Sequence, residues 1–157
     1  MAEKKEPLPP CMIFVANDGK WYHEGAEIIH RPIFLWLIQS LEKDDEGNYI
    51  VNLNNQRCVL EVEDTPLVVQ QVHRNSAGQP EADEFLLVLN DESTEPLDPA
   101  TLRISPENIL YCTVKAAGFP ARFLRPAYYQ IAEYIEEDDQ GRFVLRLNNR
   151  EYLIKNN

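Results

Sequence analysis

The chain has 157 residues, 44% hydrophobic and 26% charged, which is typical of a soluble globular protein with one domain or two small ones. Its 15 Lys and Arg against 26 Asp and Glu give a net charge of -11 at pH 7, without a basic cluster. Charge repulsion therefore argues against a nucleic-acid polymer or an anionic membrane as a partner, although a few arginines can still bind a small anion.

The N-terminal segment and the cysteines favour a cytoplasmic location. The first ten residues lack the apolar core of a secretory signal, and the longest apolar run, residues 33–38, is too short to span a bilayer. Cys11, Cys58 and Cys112 are widely spaced and odd in number. We therefore expect free buried thiols in a cytoplasmic bacterial protein, with a flexible N-terminus over residues 1–12.

The first half predicts a hairpin, a helix and a second hairpin. Residues 20–29, KWYHEGAEII, resemble a hairpin that turns at Glu24-Gly25. Helical spacing follows, and Pro32 suits the first turn of a helix because its missing N–H needs no partner there. Asn54-Asn55 then predicts a tight turn between two strands. The apolar residues at helical spacing are Phe34, Leu37, Ile38 and Leu41.

The middle of the chain predicts a run of strands. The candidates are separated by residues 74–83 and 91–100, which are loops by composition. A domain boundary near Thr65-Pro66 gives an N-terminal α+β repeat domain over residues 13–66 and a β-rich C-terminal domain over residues 67–157. The candidate strands are residues 67–73, 85–90, 101–104 and 109–115.

The end of the chain repeats the first half. When residues 31–60 are shifted by 94 positions onto residues 125–154, nine residues are identical without a gap. About two identities are expected by chance from average composition. The pattern predicts a duplicated unit, each copy a helix followed by an antiparallel hairpin, although convergence on a common motif is the alternative. The fold class is therefore α+β with mostly antiparallel strands.

Several short motifs resemble one bacterial family. They are DGKWYHEG at residues 18–25, VEDTP at residues 62–66 and ARFLRPAYY at residues 121–129. Together they resemble domain-of-unknown-function family 1285. The resemblance implies a duplicated core, a second half like a partly open antiparallel barrel of the pleckstrin-homology type, and a ligand site between the halves. It also implies a nucleotide-like ligand and a role in signalling, with no established activity.

Two arginines are the most informative candidates for a binding site. Arg31 and Arg125 each precede a proline at a predicted helix start, where backbone N–H groups and a guanidinium together suit a phosphate or carboxylate. The structural alternative is that each arginine pairs with a carboxylate such as Glu63 or Asp64. The binding hypothesis is that Arg31, Arg122 and Arg125 line one cleft.

Aromatic and acidic residues complete the predicted site. Trp21 and His23 share one strand face and would supply a stacking surface and a hydrogen bond, although Trp21 also fits a core position. Glu63, Asp64 and Tyr128 are the remaining candidates for ligand binding.

The sequence favours binding over catalysis. It has no metal-binding spacing of His or Cys, no GxSxG and no phosphate-binding glycine loop, so we predict no metal, no cofactor and no catalytic residue. The first hypothesis is a module that binds a small anionic ligand or a protein partner. The alternatives are an enzyme that uses His23 and a carboxylate as acid and base on a nucleotide-like substrate, and a purely structural interaction protein.

Overall fold

The computed structural model describes residues 7–76, 78 and 82–157. The chain divides into two compact units, Met1–Asp64 and Thr65–Asn157. Residues 1–6 of the predicted flexible N-terminus lie outside the described residues. Residues 10–12 differ from that prediction, because they open the first strand. Neither of the helices described has the length and apolar character needed to cross a membrane.

The first unit is a six-stranded sheet with one helix. Its strands lie in the order β3-β2-β1-β6-β5-β4, and the β1–β6 pair is parallel while the other neighbours are antiparallel. Its core includes Trp21 and Ile50, both almost fully buried. The elements are β1 Pro10–Val15, β2 Trp21–His23, β3 Ala26–Glu27, α1 Arg31–Gln39, β4 Leu41–Lys43, β5 Tyr49–Leu53 and β6 Gln56–Val62.

The parallel pairing of β1 and β6 changes the state of two cysteines. Cys11 and Cys58 form a disulfide, with their Cα atoms 4.9 Å apart, whereas Cys112 is a buried free thiol. The prediction of three free thiols was therefore wrong for the first pair. The bond joins residues 47 positions apart, and only the pairing of the two strands makes them neighbours.

The second unit contains a seven-stranded sheet, a three-stranded sheet and one helix. The larger sheet has the order β16-β10-β11-β12-β7-β8-β9, and the smaller one β13-β14-β15. The elements are β7 Leu67–Asn75, β8 Glu84–Leu89, β9 Thr94–Pro96, a short 3-10 helix Pro99–Thr101, β10 Arg103–Ile104, β11 Leu110–Val114, β12 Phe119–Phe123, α2 Arg125–Ala132, β13 Ile135–Glu137, β14 Phe143–Leu147, β15 Arg150–Leu153 and β16 Lys155–Asn156.

The α+β class is confirmed, but the barrel is not. In the described part of the chain there are two α-helices and three sheets, none closed into a barrel. The seven-stranded sheet is mixed rather than antiparallel, because β7–β12 and β10–β16 are parallel pairs. It ends at β16 and β9, so a pleckstrin-homology-type barrel is not confirmed.

The helix–hairpin order is the same in both units. Each of α1, β4, β5 and β6 begins 94 residues before α2, β13, β14 and β15 respectively. A specific hydrogen bond recurs at the same offset, since the N–H of Asn52 donates to the carbonyl of Ser40 over 3.1 Å and that of Arg146 to Tyr134 over 3.1 Å. The predicted order of elements is confirmed, whereas a common origin stays a prediction.

The helices end earlier than their apolar spacing indicates. Leu41 was predicted as the last residue of the first helical face, and Ile135 is its counterpart at the offset of 94. Both instead begin strands, β4 and β13, because their backbones pair with the next strand. Gly47 and Gly141 lie in the turns after these strands, at φ of +85° and +77°, a backbone region in which glycine is favoured.

Candidate functional site

The predicted site residues of the first unit lie in different environments. Trp21 is 1% exposed and packs edge-on against Phe34, with the ring centroids 6.0 Å apart. Its indole N–H has no hydrogen-bond partner among the described residues. The ring thus belongs to the core in this structure and presents no open face for stacking. His23, by contrast, is exposed at the end of β2.

The charged candidates of the first unit lie at element ends. Arg31 is exposed and is the first residue of α1. Glu63 follows β6, where its carboxylate accepts hydrogen bonds from the backbone N–H of Asn17 over 2.8 Å and from the Asn17 amide over 3.4 Å. Asp64 is the next residue and ends the unit.

The predicted residues of the second unit surround the start of α2. Arg122 is half-buried near the end of β12, and its N–H donates to the Thr65 hydroxyl over 3.2 Å. Arg125 is exposed and begins the helix, and Tyr128 lies one turn further on. The structure brings these three residues onto consecutive elements, and their role in binding stays a prediction.

A polar pocket in the second unit carries three other arginines. It has a volume of about 620 Å³ and is formed by the end of β7, the residues before β8 and the β14–β15 hairpin. We call it the arginine pocket; its lining residues are Arg74, Asp83, Arg146, Leu147, Asn148, Asn149, Arg150 and Glu151.

The hairpin tip is held in place by one amide side chain. Asn148 accepts a hydrogen bond from the backbone N–H of Asp83 over 3.0 Å and donates one to the Asp83 carbonyl over 2.8 Å. Asn148 and Asn149 both have positive φ, 55° and 61°, as a two-residue type I′ turn requires. The same residues therefore make the tight turn and fix one wall of the pocket.

Arg74 is oriented by an ion pair and by an aromatic ring. Its guanidinium contacts one carboxylate oxygen of Asp83 over 2.6 and 3.1 Å and lies 5.0 Å from the ring centroid of Tyr134. The hydrogen bond from Arg74 holds the pKa of Asp83 below its usual range. Arg74 is thereby preorganised at the pocket wall.

The other two arginines differ in their pairing. Arg146 forms ion pairs with Glu136 over 3.0 Å and with Glu151 over 3.1 Å. Arg150 is exposed, and its guanidinium forms no ion pair with any described residue. The carboxylates of Asp83, Glu136 and Glu151 pair with Arg74 and Arg146, so Arg150 is the lining arginine that has no carboxylate partner among the described residues.

Such a lining suits an anion that also carries hydrogen-bond donors. Guanidinium groups recognise phosphate and carboxylate through paired N–H donors. The carboxylates and the two asparagine amides of the pocket offer acceptors for hydroxyl or amino groups on the same ligand.

The sequence analysis did not predict this pocket, although two of its arginines stand out when the two repeats are aligned. At the offset of 94, Arg146 and Arg150 replace Asn52 and Gln56, so the second copy gained two cations on one hairpin. Arg74 was assigned to a loop by composition, but it lies in β7, and only the tertiary fold brings it to the hairpin.

A second pocket, in the first unit, is apolar. Its volume is about 550 Å³, and it lies on the outer face of β1, where Phe14 and Tyr22 face each other with ring centroids 6.5 Å apart. Its polar groups include the carboxylates of Glu24 and Glu61. This surface offers apolar contact and negative charge, which does not suit an anion.

The free thiol of Cys112 is buried and weakly acidic. Burial raises the pKa of the Cys112 thiol to about 12, which leaves almost no nucleophilic thiolate at neutral pH. Within the described ranges, no three His, Cys, Asp or Glu side chains converge as a metal site would require.

Comparisons with known proteins identify the fold and no activity. No protein-family model matches the sequence, and no curated protein matches it. A DUF1285 family protein from Silicibacter pomeroyi DSS-3 superposes with a TM-score of 0.76 at 18% identity, over 96% of this chain and 84% of that one. Another from Shewanella baltica OS155 gives a TM-score of 0.63 at 16% identity, over 78% of this chain and 91% of that one.

Identity this low shows a common fold alone. Both neighbours belong to a family defined as a domain of unknown function, so the likeness carries no activity to this chain. The resemblance inferred from the sequence motifs points to the same family. The chain therefore has the fold of domain-of-unknown-function family 1285, the family that its sequence resembles.

Proposed function

We propose that the chain is a non-catalytic module that binds a small anionic, nucleotide-like ligand in the arginine pocket. The observation that carries the proposal is the presence of Arg74, Arg146 and Arg150 around one polar cavity of about 620 Å³. A cavity of this size falls within the usual range for small-molecule sites. We also propose a role in signalling. A bound anion would compete with the existing ion pairs of the pocket and could thereby change its conformation.

The three arginines would contribute differently to binding, because their existing ion pairs differ. Arg150 is ready to bind without breaking an existing ion pair, whereas Arg74 and Arg146 already have carboxylate partners. An incoming phosphate would share those two cations with Asp83 and Glu151, which costs part of the binding energy. We therefore expect modest, micromolar affinity, with strong dependence on ionic strength.

The proposal has a direct test with a matched control. The thermal shift of the wild-type chain is measured against inorganic phosphate and a panel of nucleoside mono-, di- and triphosphates. The same panel is applied to Arg150→Ala and to Arg125→Ala. Both residues are exposed arginines at the start of an element of the second unit, so the two variants remove the same charge from different places.

The outcomes separate two locations for the site. If the arginine pocket binds the ligand, Arg150→Ala loses the response and Arg125→Ala keeps it. The reverse result moves the site to the cluster of Arg122, Arg125 and Tyr128 predicted from the sequence. A wild-type chain that responds to no phosphate compound contradicts the proposal in both forms.

We also infer that the two helix–hairpin segments descend from one ancestral segment. The gapless identity over residues 31–60 and 125–154 supports this, and so do hydrogen bonds that recur at the same offset. In each copy an aspartate, Asp44 or Asp138, accepts a backbone hydrogen bond of 2.8 Å from the residue four positions later.

A further inference from the structure

The first unit has an open strand edge next to the start of its helix. β3 is the end strand of the six-stranded sheet, so within residues 7–76, 78 and 82–157 no strand pairs with the other side of Ala26–Glu27. The chain then passes through Ile29 into α1. An unpaired edge exposes backbone N–H and C=O groups that another extended chain can pair with.

The second unit has a covered strand at the corresponding place before its helix. β12, which precedes α2 as β3 precedes α1, pairs in parallel with β7, placing Ala121, Arg122 and Phe123 beside Leu67, Val68 and Val69. The backbone phase of β3 differs from that of β12. The N–H of Ile28 donates to the Trp21 carbonyl of β2 over 2.8 Å, so strand alternation turns the N–H groups of Glu27 and Ile29 toward the open edge.

The helix faces differ in the same way. Ile33 and Trp36 of α1 are 48% and 52% exposed, and Ile29, in the extended segment before the helix, is 81% exposed. The residues at the corresponding positions are Phe123 and Ala127, which are buried, and Gln130, whose side chain accepts a hydrogen bond of 2.7 Å from the N–H of Val72 in β7. The surface that β7 contacts in the second unit is thus an exposed apolar surface in the first.

The charge beside this surface limits the partner. Glu24 and Glu27 are exposed at the β3 edge and form no ion pair with any described residue. Single exposed apolar residues are common, but Ile33 and Trp36 on α1, with Ile29 between the helix and an unpaired strand, are typical of an interaction surface. Two free carboxylates next to it favour a partner that carries positive charge.

We propose that the β3 edge and the exposed face of α1 bind an extended, apolar segment of a partner protein, flanked by basic residues, which adds as a parallel strand beside β3. The partner segment lies beside α1, as β7 lies beside α2 in the second unit. Its backbone pairs with the outward-facing groups of Glu27 and Ile29, and its apolar side chains cover Ile29, Ile33 and Trp36. This is β-strand addition, in which backbone hydrogen bonds supply affinity and side-chain contacts supply specificity.

The test uses the full chain and a peptide that copies part of β7. The peptide KKLVVQQVKK carries the six residues from Leu67 to Val72 between lysine pairs, and EELVVQQVEE is the charge-reversed control. Binding is followed by tryptophan fluorescence, in which Trp36 is the exposed residue and Trp21 the buried one, and by backbone hydrogen exchange. We expect the basic peptide to bind and to slow exchange at Glu27 and Ile29, and the acidic peptide to bind about tenfold more weakly or not at all.

Two variants locate the binding surface. Ile29→Lys puts a charge at the centre of the face, and we expect it to weaken binding by about tenfold or more. Tyr129→Lys changes another exposed apolar residue, 62% exposed on α2, and should leave binding unchanged. Both changes lie on exposed side chains, so both variants should retain the wild-type circular dichroism spectrum.

Three outcomes would overturn the proposal. The first is no binding of the basic peptide at millimolar concentration. The second is slow exchange of the outward-facing N–H groups of Glu27 and Ile29 in the free chain, which means that the edge is already covered. The third is protection that appears with protein concentration instead of peptide, which identifies a second copy of the chain as the occupant. None of these results depends on the arginine pocket, so the two proposals fail independently.

Discussion

The most informative single residues are those whose ionisation or oxidation the fold controls. Asp91 is 9% exposed, and its carboxylate contacts the Lys115 ammonium over 2.7 Å and the Ser93 hydroxyl over 2.6 Å. Burial opposes its ionisation, but the hydrogen bonds from Lys115 and Ser93 outweigh burial and hold its pKa below the usual range. Removing one partner of such a pair lowers the free energy of unfolding, because the other charge is then left buried without compensation.

Lys115→Met should destabilise the second unit because it leaves the Asp91 carboxylate without its cation. We expect a loss of about 2 kcal/mol in the free energy of unfolding at pH 7, reduced from a fully buried pair because Lys115 is 30% exposed. Urea unfolding of the variant measures the loss, and Lys155→Met, at an exposed lysine, is the control.

The pH dependence of that loss follows from the direction of the pKa shift. A depressed carboxylate pKa contributes stability above the unfolded-state value of about 3.9, and this contribution disappears as the pH falls through the folded-state value. The difference between wild type and Lys115→Met should therefore shrink below about pH 4. A difference that grows on acidification contradicts the ion pair.

The three cysteines should react in distinct ways. We expect no thiol of the native, unreduced chain to react rapidly with a disulfide reagent, because Cys112 is buried with a pKa of about 12 and the other two are bonded. Unfolding without reductant should expose one thiol, and unfolding after reduction three. Three reactive thiols in the unreduced, unfolded chain would show that Cys11 and Cys58 are free.

At the scale of elements, the sequence predicted the hairpin turns more accurately than the ends of the helices. The Asn-Asn pairs predicted both hairpin tips, because positive φ at two consecutive residues is a local requirement. The helix ends were extended too far, because apolar Leu41 and Ile135 fit a helical face as well as a strand. Pairing with the next strand decided between the two, and that pairing is not local.

The two hairpin tips provide a matched pair of substitutions. Asn54→Gly and Asn148→Gly both keep a residue that accepts positive φ, so neither should strain the turn. Only the second removes the two hydrogen bonds to Asp83. We expect Asn148→Gly to cost about 1–2 kcal/mol more than Asn54→Gly in urea unfolding. Equal costs would mean that the two hydrogen bonds between Asn148 and Asp83 contribute nothing to the free energy of unfolding.

The disulfide should stabilise the first unit and leave the second unchanged. It closes a segment of 47 residues within one unit, which corresponds to about 3–4 kcal/mol from the restricted unfolded chain. The double variant Cys11→Ser, Cys58→Ser should therefore show faster hydrogen exchange in β1–β6 only. Uniform acceleration across β7–β16 would mean that the units unfold together.

For the whole molecule, the sequence established local units better than long-range contacts. The α+β class and the order of the two helix–hairpin segments were predictable, because they rest on periodicity and turn residues. The parallel pairs β1–β6, β7–β12 and β10–β16 were not, since their partners are far apart in the chain. The disulfide and the arginine pocket depend on such contacts, and both were missed for that reason.

The candidate site predicted from the sequence rests on a local pattern, whereas the arginine pocket depends on long-range contacts. Arg31 and Arg125 were predicted as binding residues because they recur at helix starts, which is a local pattern. Arg74 and Arg150 lie 76 positions apart in the numbering and meet only through the fold. We therefore give the pocket more weight than the repeated motif as the place where an anion binds.

The most direct measurement is a nuclear magnetic resonance titration of the arginine side chains with a nucleoside monophosphate, at low and at physiological ionic strength. The Nε–Hε signals of Arg74, Arg146 and Arg150 should move together and saturate with one midpoint, and added salt should weaken the effect. Saturable shifts confined to Arg31, Arg122 and Arg125, or no saturable shift at any arginine, would contradict anion binding in the pocket.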